Sequence, residues 1–520
     1  MSLLFFLVPF LLLAILLAFK VVLSGKTQLR LPPSPPGLLL LGNLHQLSSL
    51  PHRSLLDLSH KHGPVMLIRM GQVPALIVSS ADAAQELFKT HDLAISTRPA
   101  SKAAMKITYG ARNISFAPYG ERWRQAKKLA VVHLLSLKRV LSLRALRHEE
   151  VRRMMERVAA ACAGGGRPRG EVDLSEVLYE YANATAYHAA AGKETKEGRT
   201  AARYRAVVDD GSVLLGGFQV ADAFPALGWL SAITGTDAKL DRIGRRIDEF
   251  LSGILQEHIE RAEQGFNRNE DFVDVLLSLQ RDDAGDLGLA EIDIKAITMV
   301  SCELWHPSFV NFTRQDLIAA GTDTSFVSLE WAMAELVRNP RAMKKLQDEV
   351  RQVADGKPMV VEEDVNQMTY LKAVIKEVLR LHAPVPILVP RETMSSFSLQ
   401  GYHVPAKTRV IVNAWAIARD PKSWEAPEEF KPERFMDNAV DYRGNDFLFI
   451  PFGAGRRMCP GINFAMATIE IALANLLYHF NWELPDGLNP VDLDMSEAPG
   501  LVTPKKIPLR LIAVPKDPLV

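Results

Sequence analysis

The chain opens on an uncharged apolar run from Ser2 to Phe19, which Lys20-Val21-Val22-Leu23 extends. About 20 apolar residues span a bilayer as a helix, so residues 1–23 predict a single transmembrane anchor. A cleaved signal carries its charge before a shorter apolar core, whereas Lys20, Lys26 and Arg30 all follow this run. That asymmetry keeps the remainder of the chain cytoplasmic. Residues 24–37 form a basic, proline-rich hinge ending in "LPPSPPG", a stiff spacer because proline fixes φ and removes a backbone donor. The pattern then changes. "PVMLIRMGQVPALIVSS" reads as two short strands around a Gly-Gln-Val-Pro turn, and "ADAAQELFKT" as a helix. From Trp123 to about Arg380 helical periodicity dominates, as in "IDEFLSGILQEHIERAEQ", with a Gly- and Arg-rich surface loop at 164–170. Strand character returns in "GYHVPAKTRVIVNAWAI" and in the late "PLRLIAVP". With no repeat and no long linker, residues 38–520 predict one large domain, mainly α with small β-sheets.

Composition narrows the function only by exclusion. The 61 basic and 60 acidic side chains nearly cancel, so no basic footprint for nucleic acid exists. Cys162, Cys302 and Cys459 stand far apart. They build neither a disulfide framework nor a zinc module, and they fit a reducing compartment.

Cys459 is the residue that points to chemistry. It lies in "PFGAGRRMCPG", residues 451–461, ahead of the apolar helical pattern "INFAMATIEIALANLLYHF". Proline favours the first position of a helix, which predicts Cys459 at a helix N-terminus. There the backbone amides and the helix dipole favour a thiolate. Gly453, Gly455 and Gly461 allow close approach to a flat ligand. Phe452 can pack beside the sulfur, and Arg457 offers a fork for a carboxylate. A thiolate with no second cysteine nearby suits a single axial bond to haem iron.

With these residues the sequence resembles the cytochrome P-450 superfamily over nearly all of the chain after the anchor. "PPSPPG", "FAPYGERWRQ" and "FKPERF" are similar to plant microsomal A-type members. The resemblance implies the P-450 fold, a bound haem b and Cys459 as axial ligand of its iron. Taken alone, Glu377 and Arg380 would be a surface pair worth a few tenths of a kcal/mol. The resemblance makes them an E-x-x-R pair, joined to Arg434 of "PERF" in a buried network behind the cysteine loop. Trp123 and Lys127 share a helix face and, with Arg391, resemble the residues that meet the haem propionates. Lys127 keeps the charge of the more usual arginine and loses its fork.

"AAGTDTS" is similar to the family's oxygen-activating helix. Ala320 and Gly321 leave room for O2, the Thr324 hydroxyl steadies a water chain, and Asp323 feeds protons. The implied substrate-pocket positions are Ile114, Leu317, Val385, Ile387, Leu388, Leu501 and Val502, all aliphatic. No Gly-rich dinucleotide fingerprint follows a strand, so the resemblance implies electrons from NADPH through a separate NADPH–cytochrome P-450 reductase. The implied reaction is O2-dependent hydroxylation of an apolar small molecule at the endoplasmic reticulum membrane. A plant specialised metabolite, terpenoid or indole-derived, is the expected substrate class. A P-450-type isomerase or dehydratase remains open as an alternative, as does a haem-binding protein that has lost turnover.

That last alternative comes from residues 298–315, an atypical insertion containing Trp305, His306 and Pro307. Roughly sixteen surplus residues would add about 24 Å of helix, and an interior Pro307 would cost about 3 kcal/mol. Thr313 and Asp316 form a T-x-x-D capping box, with Phe312 and Leu317 at the staple positions. A helix restarting at Thr313 is therefore expected, with 298–312 looped out. A mis-spliced or unspliced segment, a tolerated surface excursion and a channel element using Trp305 all stay open.

Overall fold

The computed structural model describes residues 29–163, 170–192, 220–264, 271–282, 290–298 and 317–516. The anchor at 1–23, hinge residues 24–28, the loop at 164–169 and insertion residues 299–315 lie outside the described residues. So do the Thr313 and Asp316 capping signals. Among the described residues no helix is long and apolar enough to cross a membrane.

The early alternating stretch forms β1 (Val65–Met70) and β2 (Val73–Val78), antiparallel with Val65 opposite Val78. Gly71 turns between them at φ +65°, where a side chain would be strained. Helix α1 (Ala81–Thr90) follows, its first turn capped by the Ser80 hydroxyl accepting from the Ala83 amide. Its buried stripe of Ala83, Ala84, Leu87 and Phe88 packs on the sheet.

The remaining strands are short: β3 (Glu171–Asp173), β4 (Arg391–Glu392), β5 (Phe397–Leu399), β6 (Tyr402–Val404), β7 (Arg409–Val412), β8 (Phe480–Glu483) and β9 (Arg510–Pro515). They complete a four-stranded sheet ordered β1-β2-β7-β4, a three-stranded sheet β3-β9-β8 and the pair β5-β6. β7 runs parallel to β2, with Ala75 opposite Arg409. The long chain separation of these partners means that the helices between them must dock before the sheet is whole.

Five helices position the site: α2 (Glu121–Leu129), α3 (Leu174–Ala191), α4 (Leu317–Arg338), α5 (Thr369–Leu381) and α6 (Ile462–His479). α4 lies close along α3 because both present small residues at the seam. A methyl group added at Gly321 would meet the Ala186 Cβ at 3.4 Å and the Phe464 ring at 3.5 Å. Beyond the seam, Trp331, Met333 and Leu336 of α4 share one core with Val374 and Val378 of α5 and Leu473 and Leu476 of α6. α6 begins at Ile462 with Gly461 as its N-cap. Pro460 therefore precedes the N-cap instead of occupying the first position of the helix.

The segment between β8 and β9 returns across the molecule and is tied down at two places. Trp331 Nε1 donates to the Thr503 carbonyl at 2.9 Å, and the Thr503 amide donates to Pro384 at 3.1 Å. Glu497 lies 3.1 Å from His52 Nε2 and accepts from Arg53 Nε at 2.8 Å. Burial raises the Glu497 pKa, but the His52 and Arg53 hydrogen bonds and charges outweigh it and hold the carboxyl at about 2. A depressed folded value means that the carboxylate stabilises the fold above its ordinary range near 4.5 and that this is lost as pH falls toward 2. Glu497→Gln is expected to lower stability at pH 7 by on the order of 3 kcal/mol. Thermal melts from pH 7 to 3 should then show the variant's deficit shrinking below about pH 4.5, as the carboxylate of the unfolded parent protonates.

Candidate active site

A cavity opens where α4, the cysteine loop and the turn after α5 meet. Cys459 enters it from a loop that builds its own frame: the Cys459 amide donates to the Phe452 carbonyl at 3.0 Å, and the Met458 amide to Gly455 at 3.0 Å. Gly453 and Gly455 take φ of +70° and +68°, so this turn needs glycine at both positions. The Gly461 amide donates to Cys459 Sγ at 3.3 Å. Burial nevertheless pushes the Cys459 thiol up, with the Gly461 amide and the Lys127 ammonium pulling the other way. The expectation that the helix terminus alone favours a thiolate is corrected here. One amide does not offset loss of water around the sulfur.

One edge of the cavity is cationic. Lys127, Arg391 and Arg457 line it, and so does Arg98, which the motif reading did not single out. Arg457 directs its guanidinium to the carbonyls of Ser96 (2.6 Å), Ile114 (3.1 Å) and Ala117 (2.6 Å) and lies 4.0 Å over the Trp123 ring. Arg98 donates to the Ser115, Val389 and Pro390 carbonyls. Trp123 Nε1 is directed to the Ile114 carbonyl at 2.9 Å, and Lys127 Nζ to that of Met458. Burial chiefly, then the charges of Arg457, Arg98 and Arg391, draw Lys127 down to about 8 against the pull of Cys459. Like charges gathered at one buried edge suit the binding of an anionic group.

The cavity is also lined by Ala320, Gly321 and Thr324 of α4 and by Phe452. The Thr324 hydroxyl donates to the Ala320 carbonyl at 2.5 Å, one turn back. Asp323 is buried beside this wall but is not among the lining residues. Of the expected substrate positions, Ile114, Val385 and Leu388 line the cavity. Ile387 instead packs with Ile77 and Ile411 under the sheet, and Leu501 and Val502 are buried away from the wall. The alternation of a short turn after α5 sends neighbouring residues to opposite sides. The Leu317 side chain lies outside the described residues.

Behind the loop, Glu377 accepts from Arg380 Nε and Nη2 at 2.8 and 2.9 Å, from Arg434 Nε at 3.0 Å and from the Lys431 amide at 2.8 Å. Arg380 also donates to the Ala418 and Pro427 carbonyls. Next to Arg434, Phe435 starts an aromatic chain that runs through Phe449 (5.3 Å) and Tyr442 (6.5 Å) to Phe452 (5.5 Å) of the cysteine loop.

A thiol aimed into an apolar chamber, room for a flat ring and an edge of buried cations fit a haem held through sulfur and through its propionates. The comparisons with known proteins agree. A family model described as Cytochrome P450 matches residues 32–510, and the chain belongs to that family, whose members bind haem b and act as monooxygenases. It is 47% identical to Cytochrome P450 71A1 of Persea americana over 91% of each chain. Norfluorocurarine oxidase of Strychnos sp is 43% identical over 97% of each chain. Strychnine-11-hydroxylase of Strychnos nux-vomica is 45% identical over 93% of this chain and 91% of its own. A zebra fish cytochrome P450 structure with abiraterone shares the fold at a TM-score of 0.71 and 23% identity, over 90% of this chain and 100% of that one.

Replacing Glu377 by Ala strands two guanidinium groups in the interior, which costs about 3–5 kcal/mol. The expected result is loss of folded, haem-loaded protein. Haem content and the reduced CO spectrum of purified E377A measure it, and a full complement of haem would contradict the role given to the network.

Proposed function

We propose that this chain is a membrane-anchored monooxygenase, fed from NADPH by a separate reductase, that oxidises an apolar plant specialised metabolite, terpenoid or indole-derived. The observation that carries the reading is one cavity shared by Cys459, by Ala320, Gly321 and Thr324, and by aliphatic Ile114, Val385 and Leu388. Two relatives named for oxidising norfluorocurarine and strychnine support a specialised metabolite as substrate. In the balanced reaction NADPH supplies two electrons, one atom of O2 enters the substrate and the other leaves as water. Bound haem supplies the one-electron chemistry of O2 reduction.

The chain's own residues set the conditions. Cys459 Sγ, which accepts from the Gly461 amide, would hold the haem iron. Lys127, Arg391 and Arg457 would neutralise the haem propionates, and Trp123 backs Arg457. Ala320 and Gly321 keep bulk out of the chamber. Because Thr324 spends its own proton on the Ala320 carbonyl, its oxygen is left to accept from water, and Asp323 delivers the proton behind it. The aliphatic wall excludes water and gives no partner to a charged substrate.

Reconstituted with reductase and a metabolite panel, the parent should consume NADPH and form product only when reductase, substrate and O2 are all present. Product without NADPH would sink the reading in favour of isomerisation. Thr324→Ala should keep the thiolate-type CO band but lose about a hundredfold in product per unit time.

The membrane reading is supported by an apolar face next to the proposed anchor. Leu39 and Leu40 are 88% and 76% exposed. Leu41 accepts from the Gly71 amide, and the Gln72 amide donates to Ala223, which joins this face to the stretch carrying exposed Trp229. Such a patch suits a lipid surface. Chains lacking residues 1–28 should still float partly with liposomes in high salt, and Leu39→Asp with Leu40→Asp should abolish it.

We also propose that residues 298–315 are dispensable for the haem pocket. Deleting 300–315 should leave the CO band intact or stronger; its loss would make the insertion part of the pocket.

A further inference from the structure

The cationic edge of the cavity also holds a carboxylate that the reaction above does not use. Asp92 lies just past the end of α1 and is nearly buried. Its Oδ1 accepts from Arg391 Nη1 at 3.3 Å, and its Oδ2 from Arg456 Nη1 at 2.8 Å. Both oxygens also accept from the Arg456 amide, at 3.2 and 3.1 Å. Arg391 completes its fork on the Ala454 carbonyl at 2.7 Å. The Asp92 carbonyl takes the Ser96 hydroxyl at 2.5 Å, and the Ser96 carbonyl takes Arg457 Nε at 2.6 Å. One short stretch, 92–96, therefore orients two guanidinium groups that line the chamber.

The cysteine loop is shaped around this carboxylate. A Cβ at Gly455 would run into the Asp92 side chain, so the second glycine of "PFGAGRRMCPG" serves the approach of Asp92 as well as the turn itself. A hydrogen-bond acceptor alone does not require a charge here, since an amide of the same shape would also accept from the Arg456 amide. What the charge adds is a negative potential among Arg98, Lys127, Arg391 and Arg457, in a setting where water screens little. Burial lowers the Arg391 pKa to about 10, with Asp92 opposing the shift, so the two form a charged pair near neutral pH.

We infer that Asp92 is a positioning residue that holds Arg391 at the carboxylate edge of the haem and, by its charge, lowers the reduction potential of the bound cofactor. An anion near a redox centre stabilises its more positive, oxidised state, so removal of the anion raises the potential. The inference rests on the haem pocket proposed above and goes beyond it by assigning an electrostatic role to a residue away from the iron.

The test uses the full-length chain loaded with haem, as parent, Asp92→Asn and Asp92→Glu. Haem content and the reduced CO spectrum come first, then midpoint potentials by spectroelectrochemical titration. D92N is expected to keep the thiolate-type CO band and to titrate at a more positive potential than the parent, with D92E nearer the parent. A D92N protein with an intact band and the parent's potential overturns the inference, because a purely structural acceptor would behave that way. If D92N takes up no haem, uptake by D92E supports the need for charge, and failure of both variants overturns it in favour of shape. A parent without the band overturns the haem pocket itself, a result separate from any difference among the variants.

Discussion

Both oxygens of Glu377 are surrounded by donors, two from Arg380, one from Arg434 and one from the Lys431 amide, with no solvent contact. A carboxylate so buried is tolerable only with its partners present, and the partners are tolerable only with it. The convergence pins α5 to the 418–434 region, and from Phe435 an aromatic chain reaches Phe452. The thiol of Cys459 is therefore aimed by a charge cluster on the far side of the loop that bears it. α4 is placed by its small-residue seam against α3 and by the core it shares with α5 and α6. The chamber is the space left between these two supports, which meet in one hydrophobic core behind it.

Electrostatics inside this chamber run against intuition drawn from local motifs. A cysteine ahead of a helix reads as an activated thiol, yet burial drives Cys459 toward its neutral form. A row of cations reads as repulsive, yet Arg98 and Arg457 are dressed by backbone carbonyls from three separate segments, around 96, 114–117 and 389–390, Lys127 meets the Met458 carbonyl, and Arg391 meets the Ala454 carbonyl and Asp92. The positive potential stored at this edge reaches the sulfur through Lys127, but it does not outweigh the burial of the thiol.

Much of this was legible in residues. Cys459, Glu377, Arg380, Arg434, Trp123, Lys127, Arg391 and Thr324 could all be named from their motifs, because each chemistry needs one residue type at one spacing. Arg98 and Asp92 were not named. Nothing in "HDLAISTRP" distinguishes them from solvated surface charges, and their partners lie some 300 residues away in sequence. Leu388 and Ile387 mark the same limit. They are adjacent and equally aliphatic, and only the turn decides that one faces the chamber and the other the sheet.

By itself the sequence determined the alternation of strands near residue 70, the helical body, the haem-thiolate class and the residue types of the site. Those properties depend on local periodicity and on short motifs whose chemistry admits few substitutes. Tertiary structure decided which cations share an edge, which carbonyls satisfy them, where the thiol's proton equilibrium lies and which aliphatic side chains line the cavity. Such properties arise from desolvation and from contacts between segments far apart along the chain, and neither is present until the segments have packed.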